Sequence, residues 1–294
     1  MSKEIRVHLA LAAAGLIYGA NYIIAKAIMP VYMAPFALIV VRVVVAGLLF
    51  WIFHALFIKE KLVHVRDYKK FFLVAIFGSG ANMLSFFKGL SYTSAINASI
   101  IMTMVPIIVL VTSYIILKER ITKLKMAGII IGGFGAILLI TSSGASSEKT
   151  RFIGDLLVIA NSIFYGIYLV IVKPLMLRYH PVTVVKWVFI FGFFMVLPFG
   201  FHELTQVQWS NFPFTIWMSL AFVVVGTTCC TYLLNAWALK HTRPSVAGAY
   251  VYLQPVFATF ITIVFGLGSL DWQQILFSLL IFAGVYLVGK NDGH

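Results

Sequence analysis

Long apolar runs separated by short polar breaks fill this chain from end to end. Runs long enough to cross a bilayer fall at 7–28, 35–57, 70–89, 95–117, 123–141, 153–173, 182–202, 212–238, 243–266 and 272–290. Roughly 20 apolar residues wound as a helix cover the hydrocarbon core of a membrane, so each run is a candidate span. Between them stand Met29-Pro30, the basic stretch from Lys59 to Lys70, Lys118-Glu119-Arg120, Ser142-Ser143-Gly144, His180-Pro181 and Thr242-Arg243-Pro244. Charged and turn-forming residues of this kind end helices. The pattern predicts an all-α integral membrane protein with ten transmembrane helices and short connections.

Composition narrows the picture. Of 294 residues, 62% are hydrophobic and 11% charged, against about half and a quarter in ordinary soluble domains. No room is left for a sizeable soluble domain. The formal net charge of +13 would suit nucleic acid only if the cations gathered on one folded face. Instead they sit between apolar runs, and no nucleic-acid partner is expected.

Their distribution orients the chain. Lys3, Arg6, Lys59, Lys61, Arg66, Lys69, Lys70, Lys118, Arg120, Lys123, Lys125, Arg178, Lys240, Arg243 and Lys290 fall at the termini or in connections after even-numbered spans, whereas Lys149 and Arg151 mark the other side and Lys88 lies at its edge. Positive charge is retained on the cytoplasmic side, so both termini are expected there in a multi-pass plasma-membrane protein. The segment from Met1 to Gly15 mildly resembles a signal peptide, but its removal would leave an odd number of spans. Cys229 and Cys230 are adjacent within an apolar run and read as small packing residues.

The chain also matches itself. At an offset of 149 residues, Leu90 pairs with Leu239, Thr93 with Thr242, Ala98 with Ala247, Pro106 with Pro255 and Gly135 with Gly284. At 147, Tyr18-Gly19 pairs with Tyr165-Gly166 and Lys26 with Lys173. Two five-helix units, 1–142 and 152–290, follow, and an odd number of spans per unit forces them to insert in opposite directions. Inverted repeats underlie alternating access in many transporters, although duplication alone also leaves such a trace.

Several of these positions carry a resemblance. Tyr18-Gly19-Ala20-Asn21 with Lys26, then Gly89-Leu90-Ser91-Tyr92-Thr93-Ser94-Ala95, Pro106, and Leu117-Lys118-Glu119-Arg120 before a glycine-rich fifth helix are similar to EamA-type permeases of the drug/metabolite transporter superfamily. The resemblance covers nearly the whole chain. It implies a central cavity lined by the first, third, fourth, sixth, eighth and ninth helices. Tyr18 departs from a frequent Trp, and Gly268-Ser269 stands where an acidic residue would match Glu119.

Polar residues inside spans are costly and therefore informative. The first helix offers Tyr18, Asn21, Tyr22 and Lys26, of which Tyr18, Tyr22 and Lys26 share a face at four-residue spacing. Asn82, Asn97 and Thr103 come from the third and fourth, and Tyr165, Tyr168, Asn235, Tyr250 and Gln254 from the sixth, eighth and ninth. Each is a candidate substrate contact or a helix-to-helix hydrogen bond. As a set, amides and phenols suit a small polar metabolite.

Lys26, Arg42 and Lys186 are the cations within spans, while every acidic residue lies in a connection or near a helix end. Lys26 either attracts a substrate anion or snorkels to the interface. Without a mid-membrane carboxylate, facilitated diffusion or exchange is expected rather than ion coupling.

Pro106 and Pro255 interrupt equivalent helices, as hinges that bend the helix or expose a carbonyl. Gly128 and Gly132 permit close helix contact, within the chain or in a dimer. A monomer in lipid, with dimerisation open, is expected. No His-xxx-His, Asp-Asp or Gly-x-Ser-x-Gly pattern appears, so neither catalysis, a metal nor a cofactor is expected. A channel would need a charged ring or carbonyl filter, and none is visible. The expected function is secondary transport, in the export direction, of a solute such as an amino acid. Flipping of a lipid-linked head group is the alternative, with an intramembrane enzyme behind it.

Overall fold

The structure, a computed structural model, describes residues 2–62, 64–93, 95–142, 151–264 and 272–290. It is 88% helical, with no strand among the described residues. Among the described residues six helices are long and apolar enough to cross a membrane: Lys3–Ile28, Pro35–Ile58, Val65–Tyr92, Phe152–Arg178, Pro181–Thr205 and Phe214–His241. Further helices cover Ala95–Met102, Val105–Leu117, Lys123–Ser142, Pro244–Ala249, Leu253–Val264 and Trp272–Gly289. Large apolar side chains such as Leu48, Trp51, Phe57, Phe134, Phe194 and Phe214 are exposed, while Asn21, Arg42, Asn82, Thr227 and Gln254 are buried. A surface like this has lipid as its solvent, and the polar residues turn inward.

Two predicted spans are broken. The 95–117 run is helical on both sides of Thr103-Met104 and resumes at Val105. In the 243–266 run a 3₁₀ turn at Tyr250–Tyr252 separates Pro244–Ala249 from Leu253–Val264. Pro106 and Pro255 therefore sit in the first turn of a second helical piece, not in the middle of a continuous one. A proline there lacks an N–H that would have had no helical partner in any case, so it starts a helix without bending one. Equivalent spans also carry equivalent wide turns, a π segment at Ile76–Gly80 in the third helix and another at Phe222–Cys230 in the eighth.

The repeat is visible in atomic contacts. Lys26 Nζ donates to the carbonyls of Leu90, at 3.3 Å, and Thr93. Lys173 Nζ donates to those of Leu239 and Thr242, the latter at 2.8 Å. These are the same bonds in the two halves, each ammonium satisfying carbonyls that a helix C-terminus leaves without partners. A Cβ added to Gly19 would stand 3.0 Å from Phe257, and one added to Gly166 would stand 2.6 Å from Ile108, which is the residue 149 positions before Phe257. Both contacts let a helix of one half lie against a broken helix of the other.

Equivalent helices also pair across the halves. Lys123–Ser142 lies against Trp272–Gly289 so closely that a Cβ on Gly284 would be 2.6 Å from the Gly128 oxygen and 2.5 Å from the Gly132 nitrogen. The Gly128/Gly132 pattern thus packs within the chain. Pro35–Phe53 pairs with Pro181–Thr205, whose Glu203 carboxylate accepts the free N–H groups of Phe36 at 2.8 Å and Ala37 at 3.1 Å. An acidic group at a helix N-terminus satisfies both its unpaired donors and its positive dipole end. Asp67, at the start of the third helix, joins the halves by accepting from Arg178 at 2.9 Å and the Tyr179 hydroxyl at 2.6 Å.

Candidate substrate site

A cavity opens where the two halves meet. The first half contributes Tyr18, Asn21 and Tyr22 from the first helix, Arg42 from the second, Asn82, Met83, Phe86 and Phe87 from the third, and Met102 just before the break at Thr103. The second half contributes Asn161 and Tyr165, then Thr227 and Tyr232 around the wide turn of the eighth helix, and Gln254 beside its 3₁₀ turn. The cavity between these side chains has a volume of about 60 Å³.

Hydrogen bonds tie one wall to the other. Tyr22 donates its hydroxyl to Gln254 Oε1 at 3.0 Å, linking the first helix to the ninth span. Asn82 and Asn161 exchange bonds, Asn161 Nδ2 donating to the Asn82 carbonyl at 2.9 Å and Asn82 Nδ2 to that of Asn161 at 3.4 Å. Donation to a carbonyl fixes which end of each amide is nitrogen, which leaves Asn161 Oδ1 buried without a partner. The Tyr18 hydroxyl lies near Thr231, Tyr165 and Asn235. Tyr165 stacks on Tyr168 at 6.2 Å, and Tyr232 donates its hydroxyl to the Gly78 carbonyl at 2.6 Å across the interface.

Arg42 is the cation of this cavity. Its Nε donates to Thr228 Oγ1 at 2.8 Å, and its guanidinium lies 4.4 Å from the centre of the Phe87 ring. Its Nη1 has no hydrogen-bond partner, nor have Asn21 Oδ1 and Thr227 Oγ1. Buried polar atoms are normally satisfied, so four such atoms around one cavity mark a place prepared for something polar.

Comparison with known proteins places this architecture. The profile of the EamA-like transporter family matches the chain twice, over residues 5–141 and 152–290. The chain belongs to the EamA-like transporter family. It is 27% identical to the uncharacterized transporter YyaM of Bacillus subtilis over 215 residues, covering 72% of this chain and 69% of that one. It is also 27% identical to an uncharacterized transporter of Archaeoglobus fulgidus over 293 residues, covering 96% of each. A solved crystal structure shares the fold with a TM-score of 0.77 at 16% identity over 97% of both chains. This EamA chain is therefore a multi-pass membrane protein of a transporter family with a two-repeat architecture.

Within that EamA framework the sequence candidates separate by position. Tyr18, Asn21, Tyr22, Asn82, Tyr165 and Gln254 line the cavity. Tyr168 and Asn235 lie one layer behind, against Tyr165 and Tyr18. Tyr250 turns instead to the first helix, where its hydroxyl meets His8 Nδ1 at 2.7 Å. Thr103 is buried at the helix break. Lys26 holds the helix-end carbonyls described above. The side chain of Asn97 and the pair Gly268-Ser269 lie outside the described residues.

Eight wall residues were not among the candidates: Arg42, Met83, Phe86, Phe87, Met102, Asn161, Thr227 and Tyr232. Asn161 lies four residues before Tyr165 on the same helical face and was within reach of that spacing.

Proposed function

We propose that this EamA transporter carries a small polar metabolite across the plasma membrane by alternating access, in the export direction, as a facilitated diffusion carrier or exchanger. The observation that carries the reading is a narrow polar and aromatic cavity at the junction of the two repeats, walled by broken helices from each. Sites of this kind lie at repeat interfaces, and rocking of the halves exposes them to either side in turn. Closely apposed walls tied by the Tyr22–Gln254 and Asn82–Asn161 bonds fit an occluded arrangement.

In this reading the units 1–142 and 152–290 each supply five spans. The four not counted among the six long helices are 95–117, Lys123–Ser142, 244–264 and Trp272–Gly289. The basic connections favour both termini in the cytoplasm. The protein works as a monomer in lipid, without nucleic acid.

The described carboxylates favour an uncoupled mechanism. Glu60, Asp67, Glu119, Asp155 and Glu203 are engaged near helix ends, with His180 N–H, Arg178, Lys125, Thr93 and the start of the second helix respectively. Glu4 lies in the first turn of the first helix.

Counterflow in liposomes tests the reading, with amino acids, nucleosides, organic anions and lipid head groups as competitors. Saturable exchange of a soluble solute without an imposed gradient is the expected result. Competition by lipid head groups alone would replace it with flipping, and strict dependence on a proton gradient would remove the uncoupled mechanism. Gln254→Ala and Asn97→Ala should each lower exchange without loss of membrane expression. Unchanged exchange in both would take them out of the site.

A further inference from the structure

We propose that Arg42 is the anion-recognising residue of the cavity and that its ligand carries a single carboxylate. The inference rests on the central cavity being the transport site, and it names the substrate chemistry that reading leaves open.

The geometry leaves the guanidinium one job undone. Phe87 covers it at 4.4 Å and Thr228 takes the Nε hydrogen at 2.8 Å, but Nη1 is buried without a partner on a side chain that lines the cavity. Arg42 is only 3% exposed, and no carboxylate pairs with it among the described residues. An arginine remains charged at any physiological pH, so this is a buried positive charge without a counter-ion. Such a charge is among the costliest features a membrane protein can hold, and an arriving anion relieves that cost directly.

A second donor stands nearby in sequence and in the same wall. Thr227 precedes the Thr228 that holds Arg42 and lines the cavity, and its hydroxyl is buried and unpaired. A carboxylate has two oxygens, one for the Nη1 hydrogens and one for a hydroxyl of this kind. Charge count selects the monoanion, because Arg42 is the only Lys or Arg among the described lining residues. A phosphate dianion would remain half uncompensated.

The repeat makes the same point from another direction. Positions 146 and 147 residues beyond Arg42 hold Val188 and Phe189. By contrast, Lys26 and Lys173 are retained as a pair bound to equivalent carbonyls. The second half's own buried cation, Lys186, stands at a different position of that helix, so a packing requirement common to both halves does not account for a cation at the position of Arg42.

The test uses full-length purified protein and three acids, butyrate, phenylacetate and indole-3-acetate, each paired with its primary amide. Binding is read by equilibrium dialysis and by stabilisation against heat in detergent. At least one acid should bind about tenfold or more tightly than its amide. Arg42→Gln should abolish that preference, Arg42→Lys should keep part of it, and Thr227→Val should weaken acid binding more than amide binding. If no acid is preferred by the wild-type protein, or if Arg42→Gln retains the preference, the assignment is overturned. Should Arg42→Gln fail to fold, the wild-type preference and the Thr227→Val result decide. Acid binding without flux in liposomes would uphold the anion site and remove the transport reading, whereas flux without acid preference would do the reverse.

Discussion

Lys26 and Lys173 stand 147 positions apart, and each ammonium holds two carbonyls at the end of a long helix in its own half. Arg42, also buried and cationic, has only Val188 and Phe189 at the corresponding positions. The first pair ends helices against their own half and so recurs with the half. Arg42 faces the space between halves, where duplication gives no reason for two copies to stay alike. Symmetric contacts therefore carry the frame of this EamA transporter, and the chemistry of the cavity lies where the halves have diverged.

The harshest way to break that comparison is at the symmetric seam. Gly284→Leu would drive a side chain into the Gly128 oxygen and Gly132 nitrogen, backbone atoms that cannot rotate aside. Overpacking of this degree should cost about 3 kcal/mol or more. The expected outcome is loss of monodisperse protein on size-exclusion chromatography, and a well-behaved variant would mean the two helices do not pack as described.

Next come the two lysines. Lys26→Met and Lys173→Met each strand two helix-end carbonyls, at about 1–3 kcal/mol each. Thermal unfolding in detergent should fall by similar amounts for both. If Lys26→Met instead spared stability and removed ligand binding, Lys26 would belong to the substrate after all.

Smaller losses are expected at the wall-to-wall bonds. Asn82→Ala or Asn161→Ala should lower stability by about 0.6–2 kcal/mol, the range of interhelical hydrogen bonds in membranes. Ligand affinity should fall further than stability, since both side chains line the cavity. Smallest of all, Pro106→Ala and Pro255→Ala should change stability by less than about 1 kcal/mol and preserve exchange, because each proline begins a helix whose break precedes it. Loss of exchange in either variant would restore the hinge reading.

How much of this was legible depends on the distance over which each residue acts. The repeat register and the apolar spans are local or periodic properties, and the pairs Lys26/Lys173 and Pro106/Pro255 stood out in the sequence. The targets of the lysines did not, because Leu90 and Thr93 are 64 and 67 residues from Lys26. Arg42 was visible as a cation within a span, but its place in the cavity depends on Thr228, 186 residues away. Thr227 and Tyr232 were hidden for another reason. The wide turn at Phe222–Cys230 changes the helical register, so a regular 3.6-residue period misassigns which side faces inward. The helix breaks before Pro106 and Pro255 were readable only as prolines, since a proline marks an interruption without saying on which side it falls.

The measurement that bears most directly on the central claim is two-sided access to the cavity. Met102 lines it beside the break at Thr103, so a Met102→Cys variant with Cys229 and Cys230 replaced by alanine places one thiol in the wall. A membrane-impermeant thiol reagent applied to right-side-out and to inverted vesicles should label that cysteine from both faces, and a transported solute should slow both reactions. Labelling from one face alone, unchanged by any transported solute, would contradict alternating access through this cavity.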